Sequence, residues 1–287
     1  MWAIDIGGTK IASGLVEPGG RIISSTVVPT PPRADAEVLF AALAATLGEV
    51  DPGREAVVVG VGCGGPMSEG GGLVSPLNIP GWRDFPLRAR LEALADRPVH
   101  VDNDAKALAL GEGWIGAAAG VSDFMAMVVS TGVGGGIVLG GRLLDGAAGN
   151  AGHVGHVVVE PDGRIDGRHA RGVLEVEASG SAIADLTGRP AAEAGADVIA
   201  RTGRLVGRAA GSVCNLLDLR LVVVAGSVAL GFGEPFFAAA QAEVDQVCQL
   251  DFSRGARIVP AGLGADGPLV GAAAVGLRGE GVDIGIR

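Results

Sequence analysis

One local pattern occurs twice in this chain and limits its fold more than any other feature. A short apolar run, Trp2–Ile6, meets the glycine turn Gly7-Gly8-Thr9-Lys10 and returns as a second apolar run, Ile11–Val16. Much later, Met125–Val129 meets the glycine loop Ser130–Gly136 and returns through Ile137–Leu139. Strand, glycine loop and strand at Ile4–Val16, and again at Val128–Leu144, make a weak internal repeat of one supersecondary unit. The first turn is no Walker A loop, because GxxxxGK[ST] is missing and a strand rather than a helix follows it.

Pro18-Gly19-Gly20 turns the chain into Arg21–Val28 and completes a β-meander, which Pro29–Pro32 ends. Helical spacing of Ala and Leu predicts a helix over Asp35–Leu47, and the continuous β-branched run Ala56–Val61 a buried strand. A Gly/Pro-rich loop region, Cys63–Pro80, precedes a helix at Phe85–Leu94. Val99–Val101 is a short strand ending in Asp102-Asn103-Asp104, where the helix Ala105–Trp114 starts. The later half alternates helical stretches with one strong strand, Leu221–Val224, and Pro268–Leu277 is a helix of small residues. Two similar halves that mix hairpins and helices imply an α/β fold of two lobes with a cleft between them. The lobes are expected at 1–103 with 265–287, and at 104–264.

The 287 residues include 50 glycines, far above the usual ~7%, and with no collagen-like period. Such glycines suit turns and close backbone approach to a ligand. A net charge of 22 − 32 = −10 argues against duplex nucleic acid or an anionic membrane as partner. Tyr is absent and aromatics make up 3%, which disfavours base stacking. Cys63, Cys214 and Cys248 are an odd, widely spaced set without CxxC, so neither a disulfide framework nor a cysteine metal knuckle is expected. Neither a secretory signal nor a membrane-length apolar stretch is visible, so a cytoplasmic protein is the expectation.

Glycines let backbone N–H groups approach phosphate oxygens, Thr9 adds a hydroxyl donor, and Asp5 can hold a magnesium ion. The plain alternative is an ordinary hairpin with a Gly-Gly turn. The second loop, Ser130-Thr131-Gly132-Val133-Gly134-Gly135-Gly136, stands at the matching place and favours phosphate binding. A third turn, Ala225-Gly226-Ser227, follows a hydrophobic strand and suits the adenosine end of a nucleotide.

The segments AIDIGGTKIASGLV, VDNDAKALALGE, STGVGGGIVLGGRLLDG, AGHVGH, EPDG, LEVEASG, LVVVAGSVALG and GADGPLVGAA occur in this order over nearly the whole chain. Together they resemble the ROK-type sugar kinases of the actin/hexokinase/Hsp70 ATPase superfamily. The resemblance implies the two-lobe, ribonuclease H-like ATPase fold with an interlobe cleft, a homodimer, and ATP and Mg²⁺ as cofactors. It implies phosphoryl transfer to the 6-hydroxyl of a hexose or N-acylhexosamine. The nucleotide would meet Asp5, Gly7, Gly8, Thr9, Lys10, Thr131, Gly132, Gly226 and Ser227, with Asp5 also the Mg²⁺ residue. Relatives that act as repressors carry an added N-terminal helix-turn-helix; Met1 abuts the phosphate loop here, so none is expected.

In the family motif the carboxylate after Asn at a helix start is the catalytic base, which makes Asp104 the base; otherwise it is a plain helix cap. Asp102 is expected to hydrogen-bond locally, and Asn103 to read a sugar hydroxyl. In glucokinase-like members the tetrapeptide at His153–His156 is Glu-x-Gly-His, and both ends touch the sugar. Here His153 stands at the Glu position. A carboxylate only accepts hydrogen bonds, whereas neutral imidazole donates with one nitrogen and accepts with the other, so reading of the ring's 2-substituent should change. The His-x-Gly-His pattern resembles bacterial N-acetylmannosamine kinases; the alternative is that His153 only caps a turn. Glu175 sits at the place of the family's sugar-contacting glutamate, with Glu177 as competitor. Gly65 and Asn78 resemble loop positions lining the sugar pocket.

The family's zinc motif, one His and three Cys, is lost here: Asp166, Arg168 and Val173 stand at the cysteine positions. Val cannot ligate and Arg stays cationic, so no structural zinc site is expected, and polar contacts such as Asp166 with Arg168 or Arg171 should hold the loop. N-acetylmannosamine is the leading substrate. Glucose, an amino sugar or cyclitol, and a non-catalytic sugar-binding role are the alternatives.

Overall fold

The computed structural model describes residues 1–50, 56–167 and 169–287. Elements follow in the order β1 (Trp2–Ile6), β2 (Lys10–Val16), β3 (Ile22–Pro29), α1 (Ala36–Val50), β4 (Val59–Cys63), α2 (Leu87–Ala95), β5 (Val99–Asn103) and α3 (Asp104–Ile115). Then come β6 (Phe124–Val129), β7 (Val133–Leu139), β8 (Arg142–Leu143), α4 (Leu174–Ala178), α5 (Gly180–Thr187), α6 (Ala196–Leu217) and β9 (Leu221–Ala225). The chain closes with α7 (Ser227–Phe232), α8 (Glu234–Val247), β10 (Arg257–Pro260) and α9 (Gly267–Gly279). No helix among the described residues is long and apolar enough to cross a membrane.

The chain divides into two compact units. The first comprises Met1–Gly120, Arg142–Ala151 and Leu263–Arg287. Its sheet has the order β3-β2-β1-β4-β5. β1 and β2 form the antiparallel hairpin, from Trp2 opposite Leu15 to Ile6 opposite Ile11, while β4 and β5 run parallel to β1. Every residue of β4 is buried, as a parallel strand covered on both faces requires. β3, at the sheet edge, alternates half-buried with exposed positions. Ile4, Ile6, Leu43, Val61, Leu87 and Leu91 lie in the core.

The second unit comprises Val121–Gly141 and Gly152–Gly262. β6 and β7 are its antiparallel hairpin, β9 runs parallel to β6, and β10 parallel to β9. Hairpin followed by two parallel strands is thus the plan of both units, and the internal repeat is a repeat of topology. Its core joins Met125, Met127, Val222 and Val224 from the sheet to Val206, Ala210 and Phe236 from α6 and α8.

Three details differ from the sequence reading. The boundary does not fall before Asp104: α3 stays with the first unit, since Ala105 to Gly113 are all buried and a Cβ on Gly111 would stand only 3.0 Å from the backbone of Gly271 in α9. Three successive glycines mimic a loop, yet Gly134, Gly135 and Gly136 pair with Val128, Met127 and Ala126, so β7 starts at Val133. β10 is four residues, too short for a periodic signal.

Candidate active site

In the first unit the parallel strands β1, β4 and β5 end together. Asp5, Gly62 and Asp102 are register partners, and so are Ile6, Cys63 and Asn103. Ligands of open α/β sheets gather at such carboxyl ends. Past β1 the turn Gly7–Thr9 is tied back by Gly7 N–H to Lys10 O at 3.0 Å and by the Thr30 hydroxyl to Gly7 O at 2.7 Å. Gly8, Thr9 and Lys10 are left exposed. Asn78 packs directly on Gly8, where a Cβ would stand 2.6 Å from that of Asn78. Leu77 N–H donates to Gly65 O at 3.2 Å. The first unit therefore brings Gly65, Asn78 and the glycine turn to one place.

The start of α3 sorts its three polar residues. Asn103 is the N-cap: its Oδ1 accepts from Ala105 N–H at 3.0 Å and Lys106 N–H at 3.4 Å. Asp104 is the first helical residue, partly buried, with Oδ1 2.9 Å from Ala105 N–H. The capping role thus falls to Asn103 rather than Asp104, and Asn103 keeps its amide NH₂ for an outside acceptor. Asp102 accepts from Asn103 N–H at 2.8 Å and lies 2.9 Å from Lys106 Nζ. Asp5 faces a second carboxylate. Burial, then the charge of Asp104, push the Asp5 carboxyl up to about 7, against the opposing pull of Lys10. The same two aspartates, added to full burial, push the Cys63 thiol far up, so it is inert.

The second unit builds a matching edge. β6 ends at Val129 and β9 at Ala225, with Val128 opposite Ala225. The Ser130 and Ser227 hydroxyls meet at 2.9 Å, so the second glycine loop and the Gly226-Ser227 turn are neighbours. Gly226 has φ 102°, and a Cβ there would run into the Val129 backbone, so only glycine fits. The N-terminus of α5 closes on this loop: Gly180 N–H donates to Ser130 O at 2.7 Å and Ser181 N–H to Thr131 O at 3.3 Å. Thr131 and Ser227 are exposed, and Gly132 and Gly226 are half-buried.

His153–His156 form a 3₁₀ turn whose two imidazoles are exposed, 6.1 Å apart and at 87°. Gly155 in its middle lies against the Val133 carbonyl, with Glu175 Cβ also close. Glu175 Oε2 accepts from Val133 N–H at 2.8 Å. Glu175, the turn and the start of β7 are thus one construction, and one oxygen of the expected sugar acceptor is committed to the backbone. A carboxylate has a second oxygen to offer to a ligand.

The loop that lacks thiols is held by an ion cluster that the motif comparison missed. Glu177, expected only as a competitor of Glu175, is 2% exposed. Its Oε1 accepts from Arg164 N–H at 2.6 Å, and its Oε2 from Arg201 of α6 at 2.6 Å, with Arg164 Nε at 3.7 Å. Burial pushes its carboxyl up, but the Arg201 hydrogen bond, the Arg164 N–H and both guanidinium charges outweigh this and hold it below its usual range. Asp166 Oδ1 accepts from Ala170 N–H at 2.7 Å and its Oδ2 lies 3.9 Å from His156 Nε2. Arg171 donates to Gly163 O at 2.9 Å, and the expected role of Arg168 lies outside the described residues. Among the described residues no group of three or more His, Cys, Asp or Glu is arranged to hold a metal ion.

Two units of one topology, each ending parallel strands at glycine turns, define an ATP-dependent carbohydrate kinase with the actin/hexokinase/Hsp70-like ATPase fold. The ROK family model matches residues 1–278, and the chain belongs to that family. It is 37% identical over 247 residues to an N-acetylmannosamine kinase of Escherichia fergusonii, covering 80% of this chain and 84% of the relative. It is 40% identical over 182 residues to a glucokinase of Thermotoga maritima, covering 63% of this chain and 57% of that protein. Among solved structures, a ROK family glucokinase from Streptomyces griseus in complex with glucose and AMPPNP superposes with a TM-score of 0.86 at 31% identity, over 97% of this chain and 99% of that one.

Proposed function

We propose that this sugar kinase phosphorylates the 6-hydroxyl of N-acetylmannosamine, with Asp104 as the base. The observation that carries the substrate is His153. It stands where glucokinase-like members have Glu, on an exposed turn built onto Glu175 and Val133. An imidazole can donate to an acetamido carbonyl, which a carboxylate cannot do. The 37% identity to an N-acetylmannosamine kinase over 80% of the chain supports the same choice. The 40% identity to a glucokinase supports glucose as the second reading.

The roles divide by unit. In the first, Asp104 takes the proton of the attacking hydroxyl as its oxygen meets the γ-phosphorus in line, and the NH₂ of Asn103 donates to the ring. Gly8 and Thr9 offer N–H and hydroxyl donors to phosphate oxygens, while the Gly7 N–H closes the turn onto Lys10 O. In the second, Thr131 and Gly132 serve phosphate, Gly226 and Ser227 the adenosine end, and His153, His156 and Glu175 the sugar. Asp5 suits Mg²⁺: one carboxylate beside a like charge, raised toward neutrality, is the kind of group that a cation stabilises, and Mg²⁺ commonly takes one or two carboxylates with water and phosphate. When bound, Mg²⁺ would neutralise charge on the β- and γ-phosphates.

The test is ATP consumption by the pure protein with Mg²⁺ against N-acetylmannosamine, glucose, N-acetylglucosamine, glucosamine and fructose in parallel. N-acetylmannosamine should give the highest kcat/KM. Preference for glucose would refute the substrate and keep the mechanism. Binding without turnover across the panel would refute catalysis.

A further inference from the structure

The strap Arg142–Ala151 belongs to the first unit, and the chain continues from both its ends into the second. Leu143 is its one buried residue, and Leu144 to Ala148 are all exposed. Asp145, Gly146, Ala147 and Gly149 border a cavity of about 1090 Å³. Apolar packing therefore does little to fix the course of the strap.

Two polar pins fix it instead. Lys106, two positions after the base Asp104, is 2% exposed in a helix of Ala and Leu. Its Nζ reaches three acceptors, Asp145 Oδ1 at 2.6 Å, Asp102 Oδ1 at 2.9 Å and Gly149 O at 3.3 Å, which uses all three N–H bonds. Arg278 of α9 backs the same carboxylates, 3.8 Å from Asp102 Oδ2 and 3.5 Å from Asp145 Oδ2. The second pin is Asn150. Its Oδ1 accepts from Met67 N–H at 3.2 Å and its Nδ2 donates to Met67 O at 3.1 Å, a side-chain copy of a strand bridge. Met67 lies two residues past Gly65, in the loop expected to line the sugar pocket.

An ammonium is costly to bury, and an apolar side chain would serve α3 as well for packing alone. The use of Lys106 is to fix position. We propose that Lys106 and Asn150 are positioning residues for the sugar: they lock the strap to the base helix and to the Gly65 loop, and so hold Asp104 and the Gly65 loop in one arrangement. The proposal rests on the sugar-contact reading of Gly65 and Asp104.

The experiment measures KM for sugar and for ATP separately in the full-length chain, using whichever sugar the wild type turns over. Asn150→Ala should raise sugar KM roughly tenfold while ATP KM stays within about twofold. Asn150→Asp, which keeps the acceptor and loses the donor, should fall between. Lys106→Met should show the same split, and Lys106→Arg should recover part of it. A folded Asn150→Ala protein with unchanged sugar KM, or with both KM values moving together, overturns the proposal. If Lys106→Met does not fold, Asn150→Ala decides alone. A wild type that prefers glucose refutes the substrate reading, and the split is then read on glucose; if no sugar is turned over, sugar Kd by calorimetry replaces KM.

Discussion

Asp5→Asn should make the protein more stable and less able to use nucleotide, and the gain should depend on pH. The Asp5 carboxyl is raised from 3.8 to about 7, first by burial and next by the charge of Asp104. Its proton is held more tightly in the folded chain than in the unfolded one. The stability this proton brings is complete below the unfolded pKa and is lost as pH rises through the folded one. About three pKa units at ~1.4 kcal/mol each set a ceiling of about 4 kcal/mol on that loss. Asp5 is only partly buried by surface area, so about 2 kcal/mol is the working figure. Asn, always neutral, escapes the loss. In urea unfolding without divalent cations, the advantage of Asp5→Asn over wild type should widen by about 1–3 kcal/mol between pH 5 and pH 8, read as a shift in midpoint at constant slope. An advantage of equal size at both pH values, or a less stable variant at pH 8, would show that Asp5 carries no such strain. With Mg²⁺ and ATP added, the wild type should gain more stability than the variant.

Asp104→Asn should cut turnover by roughly 10²–10⁴ while sugar binding stays within a few-fold, because it removes the base and keeps the shape; single-turnover kinetics with calorimetry check this. His153→Glu should move the preference from N-acetylmannosamine toward glucose, and an unchanged ratio of kcat/KM values would remove His153 as the reader. Glu177→Gln leaves Arg164 and Arg201 without their anion and should cost about 1–3 kcal/mol, with faster proteolysis inside 160–172. Since the Glu177 carboxyl is held below its usual range, the stability it gives is present above the ordinary carboxylate pKa and lost as pH falls through the lowered one, so wild type and variant should converge in acid. Metal analysis of the same preparations should find no stoichiometric zinc.

Local chemistry made much of this protein legible in one dimension. A glycine turn between two apolar runs needs only neighbours in sequence, so both hairpins and the helix start at Asp104 could be read directly, as could a buried strand, expected at Ala56–Val61 and found at Val59–Cys63. The motifs likewise put forward Asp5, Asp104, His153 and Glu175 as the proposed site residues, because each sits in a short, ordered word. Partnerships across long separations could not be read. Glu177 with Arg201, Lys106 with Asp145 and Asn150 with Met67 join residues 24, 39 and 83 positions apart. Nothing in the local sequence around either partner specifies them. A Lys within DAKALALGE and a Glu within LEVEASG look like solvated charges until tertiary packing buries them. The same packing holds α3 against α9 and moves the unit boundary past Gly120. Sequence alone determined the repeated hairpin and the residue types of the proposed site, since backbone geometry and hydrogen-bonding capacity belong to each residue. The tertiary structure decided which charges are buried and paired, since desolvation exists only once distant segments exclude water together.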